Sequence, residues 1–174
     1  MVANAALLFI DVDNFKTVND VNGHDLGDLL LVDIARRIQG ATRQFDLVGR
    51  LSGDEFAVML DRLPDNLELA ASQASAVADK LQQSLRRPYT LKGLPCSSTC
   101  SMGISLFSAE HSVDELLKYA DTAMYQAKAD GRDEVRFLTP RCKKPLRNVL
   151  PLSLTCARRF GMSNLSFLPS ADRF

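Results

Sequence analysis

The sequence predicts an α/β (α+β) fold, in which a mixed, mainly antiparallel central sheet is covered by helices on both faces. Segments of strand length alternate with longer segments of helical periodicity, and their order along the chain is β-α-β-β-α-β-α-β. The first strand is apolar throughout, which is typical of a strand buried on both faces. This order contains a split βαβ core with one added unit, and a layer of helices on each face fits it best.

The first strand and the first helix follow from two different apolar patterns. Residues 5–10 form a continuous apolar run that ends abruptly at Asp11, which predicts a central strand. Residues 19–27 contain an Asn-Gly pair and are predicted to form a loop. Large aliphatic residues then recur at every fourth position between residues 26 and 38, which predicts a helix that ends near Gly40.

A hairpin and a long helix are predicted next. Residues 46–51 and 56–60 have the composition of two strands, and a Ser-Gly pair between them predicts a tight turn. A Pro-Asp-Asn sequence ends the second strand. Apolar residues at helical spacing over residues 67–85 then predict a helix, which Pro88 closes.

The last three elements follow from similar signals. Residues 99–107 are apolar and β-branched enough to form a strand, although Gly103 weakens it. Residues 112–115 form a capping box, and apolar residues at helical spacing continue to residue 127. Gly131 supplies a stop signal for this helix, and residues 134–137 are predicted to form a final strand.

The composition changes near Phe137, which predicts a domain edge there. Residues 1–137 carry a net charge of −6, whereas residues 138–174 carry a net charge of +6 and four of the seven prolines. We therefore expect a folded domain over 1–137. Residues 138–174 are expected to form a basic, Pro-containing, poorly ordered tail or linker.

The overall composition excludes several classes of protein. The formal net charge is zero, which argues against a nucleic-acid partner. No apolar run approaches the roughly 18 residues of a membrane span. The four cysteines form no CxxC pair and only two histidines are present, so neither a zinc site nor a disulfide framework is predicted. We expect a cytoplasmic protein.

Two pairs of acidic residues are the first candidates for a functional site. Asp11 and Asp13 directly follow the first strand, and Asp54 and Glu55 follow the Ser-Gly turn. Carboxylates after a buried strand are costly unless they are solvated, capped or bound to metal. If the hairpin neighbours the first strand, Asp11 and Asp54 meet at one edge, where oxygen ligands suit Mg²⁺ or Mn²⁺. The alternative is that the first pair caps the following loop and the second lies in an ordinary exposed turn.

Three segments together resemble the signatures of one family. They are FIDVDNFKTVNDVNGHDLGD (residues 9–28), RLSGDEF (residues 50–56) and YADTAMYQAKADGRD (residues 119–133), in order and at family-like spacing. On these segments the sequence is identified as a member of the GGDEF domain family, the diguanylate cyclases, over about residues 5–137. The resemblance implies a ferredoxin-like, nucleotidyl cyclase palm-like core. It also implies that two GTP molecules are condensed into cyclic di-GMP, with release of two pyrophosphates.

The resemblance implies a metal site and a phosphate site. The implied ligands of Mg²⁺ or Mn²⁺ are the carboxylates of Asp11 and Asp54 and the backbone carbonyl of Val12. Glu55 corresponds to a residue that assists metal binding or deprotonates the attacking 3′-hydroxyl. The implied phosphate contacts are the main-chain N–H groups of residues 13–16, together with Phe15, Lys16, Gly53, Lys128 and Arg132. The implied catalytic set is Asp54, Glu55 and Lys16. We also expect Lys128 and Arg132 to share one face of the last helix, because they are four residues apart.

Four further residues correspond to ligand-binding positions of the family. Asn19 and Asp28 match the residues that bind guanine, and their side chains can bond the guanine edge and exclude adenine. Arg43 and Asp46 form an RxxD sequence six residues before the Ser-Gly turn, which is the spacing of the family's inhibitory product site. An arginine offers paired donors to phosphate or to guanine, and this spacing implies a cyclic di-GMP site.

The resemblance also has consequences for partners and for activity. One domain holds one GTP, so a bond between two GTP molecules implies a homodimer. The chain lacks a segment that precedes the first strand in this family, so we expect it to be a fragment. In some family members the GGDEF domain is followed by an EAL-type phosphodiesterase domain. Ser52 replaces a glycine of the motif. The alternatives are a weakly active or inactive module that binds GTP or cyclic di-GMP, and a different cyclase or polymerase palm-like domain, against which Asn19 and Asp28 argue.

Overall fold

The computed structural model of the chain describes residues 4–107, 112–138 and 166–167. The predicted fold class is confirmed, because a mixed, mostly antiparallel sheet is combined with helices. In chain order the elements are β1 (Asn4–Val12), α1 (Phe15–Asn22), α2 (His24–Ala41), β2 (Leu47–Ser52), β3 (Glu55–Leu63), α3 (Leu67–Arg86), β4 (Tyr89–Leu91), β5 (Leu94–Cys96), β6 (Cys100–Phe107), α4 (Val113–Ala129), β7 (Val135–Phe137) and β8 (Ser166–Phe167).

The main sheet has the strand order β7-β6-β1-β3-β2-β8. Strand β1 is central and antiparallel to both β3 and β6, and β2 is antiparallel to β3, whereas β7 is parallel to β6. Strands β1 and β2 are therefore parallel to each other with β3 between them, and β3 and β6 are likewise parallel on either side of β1. Each pair is joined through helices, so the predicted split βαβ arrangement occurs twice.

The alternation of side chains along β1 divides the core into two layers. Leu8 and Ile10 point towards α2 and α3, whose apolar sides are buried against this face. Leu7 and Phe9 point towards α4 on the opposite face, where Ala120 is fully buried among them. Because both faces of β1 are covered, the strand is apolar from Ala5 to Ile10, and Asp11 marks the point near its C-terminal end where this cover stops.

Two sequence predictions about local structure were wrong or incomplete. Residues 19–27 are not a loop, because α1 and α2 occupy this stretch on either side of Gly23, which has φ 83°. No residue of α1 is fully buried, although Phe15 and Val18 pack against the core, and the helix has only eight residues, so its apolar pattern is too short to stand out in the sequence. The β4–β5 hairpin was not predicted. Its turn contains Lys92 and Gly93, both with positive φ, which is the conformation that tight hairpins favour.

The predicted tail lies almost entirely outside the described residues. Beyond Leu138 the structure describes residues 166–167, which pair with β2 opposite Gly49 and Arg50. The domain edge near Phe137 therefore stays a prediction. Among the described residues, no helix combines the length and the hydropathy required to cross a membrane.

Candidate functional site

Strands β1, β3 and β6 and helix α4 come together at the C-terminal end of β1, which is referred to below as this edge of the sheet. In the β1–β3 ladder Asp11 pairs with Glu55, and in the β1–β6 ladder it pairs with Ser101. The main-chain N–H of Val12 donates a hydrogen bond of 3.2 Å to the carbonyl oxygen of Asp54. The structure thus brings Asp11, Val12, Asp54 and Glu55 to one place, because β3 pairs with β1 over its whole length and the β2–β3 turn projects at this edge.

Asp11 is a buried carboxylate at the end of β1, and α4 supplies its counter-charge. The side chain of Asp11 is only 8% exposed, and the ammonium group of Lys128 lies 2.7 Å from its Oδ2 atom. Burial raises the pKa of Asp11, and the nearby Asp54 and Glu55 carboxylates raise this pKa further, whereas Lys128 lowers it. The three carboxylates repel one another, so this edge favours the binding of a cation.

Asp13, which the sequence grouped with Asp11, serves a different purpose. Its carboxylate accepts hydrogen bonds of 2.7 Å from the hydroxyl groups of Thr99 and Ser101, and one of 3.1 Å from the main-chain N–H of Asp133. These three donors fill most of the acceptor positions of the carboxylate. Asp13 therefore joins the end of β1 to the start of β6 and to the turn after α4. Thr99 and Ser101, two hydroxyl residues at the start of a mainly apolar segment, were the available sequence signal for this role.

The residues present fit a hard divalent cation that keeps part of its shell for other ligands. No group of three or more His, Cys, Asp and Glu side chains in the described part of the chain has metal-binding geometry. The donor set is therefore small, with the Asp11 and Asp54 carboxylates beside the main chain of Val12. Mg²⁺ is commonly held by one or two carboxylates, with water and substrate phosphate completing its octahedron. The ammonium group of Lys128 already places a cation against Asp11.

The β2–β3 turn accommodates Ser52 without backbone strain. Gly53 has φ 45°, whereas Ser52 is not among the described residues with positive φ. The hydroxyl group of Ser52 donates a hydrogen bond of 2.8 Å to the Oε2 atom of Glu55, and the guanidinium of Arg50 donates one of 2.8 Å to the carbonyl oxygen of Gly53. The glycine that Ser52 replaces is therefore not required for the conformation of this turn.

The start of α1 offers main-chain donors beside the carboxylates. Asn14 is the N-cap residue, with φ 56°, and its side chain makes no capping hydrogen bond. The first N–H groups of a helix have no partner within the helix, so those of Phe15 and Lys16 are open to an anion. The side chain of Lys16 is exposed in this first turn. This end of α1 therefore combines main-chain donors with a positive charge.

The side-chain amide of Asn19 packs against α2. Its Oδ1 atom is buried and has no hydrogen-bond partner among the described residues. It packs against α2 so closely that a Cβ atom added to Gly27 would lie 1.8 Å from it. Asp28, the next residue, is exposed on α2. A buried polar atom without a partner is costly, which indicates a polar ligand between α1 and α2.

The expectation that Lys128 and Arg132 share a helix face was wrong. Helix α4 ends at Ala129, and the chain then turns through Gly131, Arg132 and Asp133, all of which have positive φ. The N–H group of Arg132 closes this turn on the carbonyl oxygen of Ala127. The glycine allows the reversal, so Arg132 lies exposed in the turn that Asp13 holds at the site, while Lys128 stays on the helix.

Arg43 and Asp46 lie at the other end of the β2–β3 hairpin. The Asp46 carboxylate accepts a 2.8 Å hydrogen bond from the main-chain N–H of Arg43 and a 3.4 Å one from that of Asp61. Burial raises the pKa of Asp46, and these main-chain donors act in the opposite direction. The guanidinium groups of Arg43 and Arg62 lie 5.7 and 5.1 Å from the ring centroid of Phe45. Two cations thus flank a partly exposed aromatic ring.

The fold is a mixed, mostly antiparallel α/β domain, and the end of its central strand gathers carboxylates, a lysine and open main-chain donors. The chain belongs to the GGDEF family, since residues 2–134 match the family described as diguanylate cyclase, GGDEF domain. This finding confirms the family resemblance stated from the sequence.

Named relatives have related activities but are much longer. Diguanylate cyclase TpbB from Pseudomonas aeruginosa (strain UCBPP-PA14) is 44% identical over 134 residues, which cover 75% of this chain and 29% of that protein. Cyclic di-GMP phosphodiesterase NbdA from Pseudomonas aeruginosa is 38% identical over 135 residues, which cover 77% of this chain and 16% of that protein. The chain thus spans less than a third of the length of these relatives.

Solved structures agree with the family assignment. The crystal structure of the GGDEF domain of TpbB from Pseudomonas aeruginosa has 43% sequence identity and a TM-score of 0.72, and the match covers 78% of this chain and 82% of that one. The similarity therefore extends over most of the TpbB structure, which is that of a GGDEF domain.

Proposed function

We propose that the domain is a diguanylate cyclase, which condenses two GTP molecules into cyclic di-GMP and releases two pyrophosphates. The observation that carries this proposal is the assembly at the end of β1, where Asp11, Asp54, Glu55 and Lys128 meet beside the open end of α1. Relatives named diguanylate cyclase share this domain. The test is incubation of the chain with GTP and Mn²⁺, with cyclic di-GMP and pyrophosphate measured as products.

The metal site of this proposal consists of Asp11, Asp54 and the backbone carbonyl of Val12, which would hold Mg²⁺ or Mn²⁺. A bound divalent ion would neutralise charge on the pyrophosphate leaving group. Glu55 lies opposite Asp11 and would assist in binding the ion or would accept the proton of the attacking 3′-hydroxyl. The Ser52 hydroxyl fixes one oxygen of Glu55, so this carboxylate is oriented before substrate arrives.

The phosphate groups of GTP would lie between the start of α1 and the end of α4. The N–H groups of residues 14–16 would bind the β- and γ-phosphates, as anions are bound at helix N-termini. The N–H group of Asp13, which was also expected to bind phosphate, instead donates a hydrogen bond of 2.9 Å to the carbonyl oxygen of Thr99. The cationic and turn residues proposed to contact the phosphates are Lys16, Gly53, Lys128 and Arg132. Their positive charge offsets the triphosphate, so the nucleotide is held for in-line attack at the α-phosphate.

Guanine would bind between α1 and α2, on Asn19 and Asp28. The unpartnered Oδ1 atom of Asn19 supports this assignment, because a guanine amino group would satisfy it. Asp28→Ala should reduce the preference for GTP over ATP by about 1–3 kcal/mol, the usual cost of leaving a polar group unpaired. Competition of the two nucleotides for a fluorescent GTP analogue measures this preference. The matched control is Asp33→Ala on the same helix, which should leave it unchanged.

Two experimental results would contradict the assignment of Asn19 and Asp28 to guanine. If the wild-type chain already binds GTP and ATP alike, the guanine assignment is wrong and the cyclase proposal loses its specific support. If Asp28→Ala and Asp33→Ala change the preference equally, the effect comes from the net charge of α2 and not from a contact with the base.

A second candidate function is regulation without turnover. The relative NbdA is named a cyclic di-GMP phosphodiesterase, although it contains a region 38% identical to this chain. A domain of this kind would bind GTP or cyclic di-GMP and act on a neighbouring domain, such as an EAL-type phosphodiesterase. Binding of GTP without release of pyrophosphate distinguishes this function from the cyclase.

We further propose a homodimer as the active species, because each domain binds one GTP and the reaction joins two. The C-terminal ends of β1 in the two copies would face each other, so that each 3′-hydroxyl faces the α-phosphate of the other nucleotide. GTP is an intracellular nucleotide, and we therefore place the domain in the cytoplasm.

Arg43 and Asp46 are proposed as an inhibitory site for cyclic di-GMP. They lie about 20 Å from the Ser-Gly turn, at the opposite end of a six-residue strand with a rise of about 3.3 Å per residue. Product bound here would act through the hairpin that carries Asp54, or would hold two domains in an unproductive orientation. Either route predicts inhibition that does not compete with GTP.

Arg43→Ala should weaken cyclic di-GMP binding more than tenfold, since a charge-assisted arginine contact contributes about 1.5–3 kcal/mol. Calorimetric titration of cyclic di-GMP, with the nucleotide pocket filled by a non-hydrolysable GTP analogue, measures the affinity. Arg36→Ala on α2 is the control. Identical affinity in wild type and Arg43→Ala would reject the site, and so would the absence of binding in both.

A further inference from the structure

The ion pair between Lys128 and Asp11 occupies the position proposed for the metal. The Lys128 nitrogen is 2.7 Å from Asp11 Oδ2, and the lysine and aspartate side chains are 32% and 8% exposed. This pair is therefore shielded from water and salt much more than a surface ion pair. Among the described residues, Lys128 is the one cationic side chain in contact with the Asp11 carboxylate.

The ammonium group and a metal ion cannot use this oxygen together. A magnesium ion binds carboxylate oxygen at about 2.0–2.1 Å, so it would stand within a few ångströms of the Lys128 ammonium. Two cations at that separation repel strongly in a partly buried site. A metal that binds Asp11 through this oxygen must therefore displace Lys128, and the displaced ammonium needs another anionic partner.

We propose that Lys128 makes metal binding depend on the triphosphate, because it holds Asp11 while the pocket is empty and moves to the phosphates when metal and nucleotide bind together. This inference rests on the proposed function. Lysine suits the exchange, since its ammonium group is a compact charge on a flexible stem with three donors. Lys128 lies in the last turn of α4, beside the turn that Asp13 fixes at the site.

The exchange couples the two ligands thermodynamically. Metal alone must displace Lys128 and leave it without a partner, whereas metal with GTP gives Lys128 the phosphate oxygens in return. The nucleotide therefore raises the affinity for metal, and by reciprocity the metal raises the affinity for nucleotide by the same factor. The empty site is thus protected from binding divalent ions without substrate.

The sign of the effect of removing Lys128 follows from the charges. Without its ammonium group, the carboxylates of Asp11, Asp54 and Glu55 share one edge with no described cation on Asp11. A divalent ion would then bind more tightly in the absence of nucleotide. A residue that bound phosphate far from Asp11 would have a smaller effect, because its charge would act on the metal site only through screened solvent.

The test is titration with Mn²⁺, in which the electron paramagnetic resonance signal of the free ion reports binding. Wild type, Lys128→Met and the control Lys118→Met are compared with and without α,β-methylene GTP, which cannot react. Lys118 is exposed on α4 about 15 Å away, at 1.5 Å per residue, and its substitution makes the same change in net charge. We expect Lys128→Met to bind Mn²⁺ alone about tenfold more tightly than wild type, the size typical of removing one nearby charge.

The same titration shows the loss of coupling. In Lys128→Met the nucleotide should increase Mn²⁺ affinity by a smaller factor than in wild type, whereas Lys118→Met should behave like wild type. Lys128→Gln provides a second variant, which keeps a hydrogen-bond donor for Asp11 without the charge. It should also bind Mn²⁺ alone more tightly, and thermal unfolding confirms that each variant is folded.

Several outcomes would overturn the inference. Mn²⁺ affinity in Lys128→Met or Lys128→Gln that equals the wild-type value without nucleotide overturns it while leaving the proposed function intact. Equal Mn²⁺ affinity of the wild type with and without nucleotide overturns it even if neither variant folds. Absence of Mn²⁺ binding to wild type under both conditions overturns the inference and also the metal site of the proposed function.

Discussion

Asp54→Ala is expected to reduce the rate of cyclic di-GMP formation by about 10²–10³-fold or more, the usual cost of removing a preorganised electrostatic group. Asp54 lies in the turn next to Glu55, and its main-chain carbonyl is bonded to Val12 at the end of β1. The substitution leaves that main-chain contact in place and removes one of the two carboxylates proposed as direct ligands of the metal, the other being that of Asp11. The same variant should lose most of the dependence of GTP affinity on Mg²⁺.

The control for this prediction is Asp121→Ala, which removes an exposed carboxylate from α4. It makes the same change in net charge outside the site, so its activity should match the wild type. Pyrophosphate release and nucleotide affinity are measured for all three chains at several Mg²⁺ concentrations. Equal GTP affinity in Asp54→Ala and wild type, with the same Mg²⁺ dependence, would show that Asp54 is not a metal ligand.

Gly103→Ala is expected to give the largest loss of stability, about 3 kcal/mol or more in the free energy of unfolding, as for severe overpacking of a core. Gly103 lies in β6 directly beneath α4. A Cβ atom there would lie 2.2 Å from the carbonyl oxygen of Ala120 and 2.4 Å from the main-chain nitrogen of Met124. Both are backbone atoms, so the helix would have to move away from the sheet.

The control is Gly40→Ala in α2, where an added Cβ atom would meet no heavy atom within 4 Å. Because alanine favours a helix over glycine by about 1 kcal/mol, this variant should be as stable as the wild type or slightly more stable. Urea unfolding followed by circular dichroism measures both. A Gly103→Ala chain as stable as wild type would mean that α4 does not pack on β6 as closely as described.

The same displacement has a consequence for the site. Helix α4 carries Lys128 and ends at the turn that contains Arg132, so its distance from the sheet determines where both cations lie. Any Gly103→Ala chain that remains folded should therefore bind GTP more weakly. The glycine that weakens β6 as a strand thus allows the helix to approach the carboxylates.

The central strand and the carboxylate edge could be predicted from the sequence because a single physical reason produces both. Residues 5–10 are apolar on both faces, since helices cover the two sides of β1, and Asp11 begins where that cover ends. The turn at residues 52–55 was expected beside Asp11 on the condition that the hairpin neighbours the central strand, and the pairing of β1 with β3 meets that condition. The capping box of Ser112 and Glu115 at the start of α4 could also be predicted, because it depends only on neighbouring residues in the sequence.

What the sequence did not predict depended on contacts between distant segments or on weak local signals. Helix α1 has only eight residues and buries none of them fully, so its apolar pattern is short, and its start depends on the left-handed Asn14. The role of Asp13 requires Thr99, Ser101 and Asp133, which lie 86 or more residues away. The spacing of Lys128 and Arg132 suggested a shared helix face, but Gly131 ends the helix between them.

The most direct test of the cyclase proposal is turnover of GTP by the chain itself over a range of protein concentrations. Cyclic di-GMP and pyrophosphate are quantified after incubation with GTP and Mn²⁺, with Asp54→Ala as the inactive reference. We predict two pyrophosphates for each cyclic di-GMP, and activity per molecule that rises with protein concentration because two domains must meet. A folded chain that binds GTP but releases no pyrophosphate at any concentration would contradict the proposal and leave the regulatory function in its place.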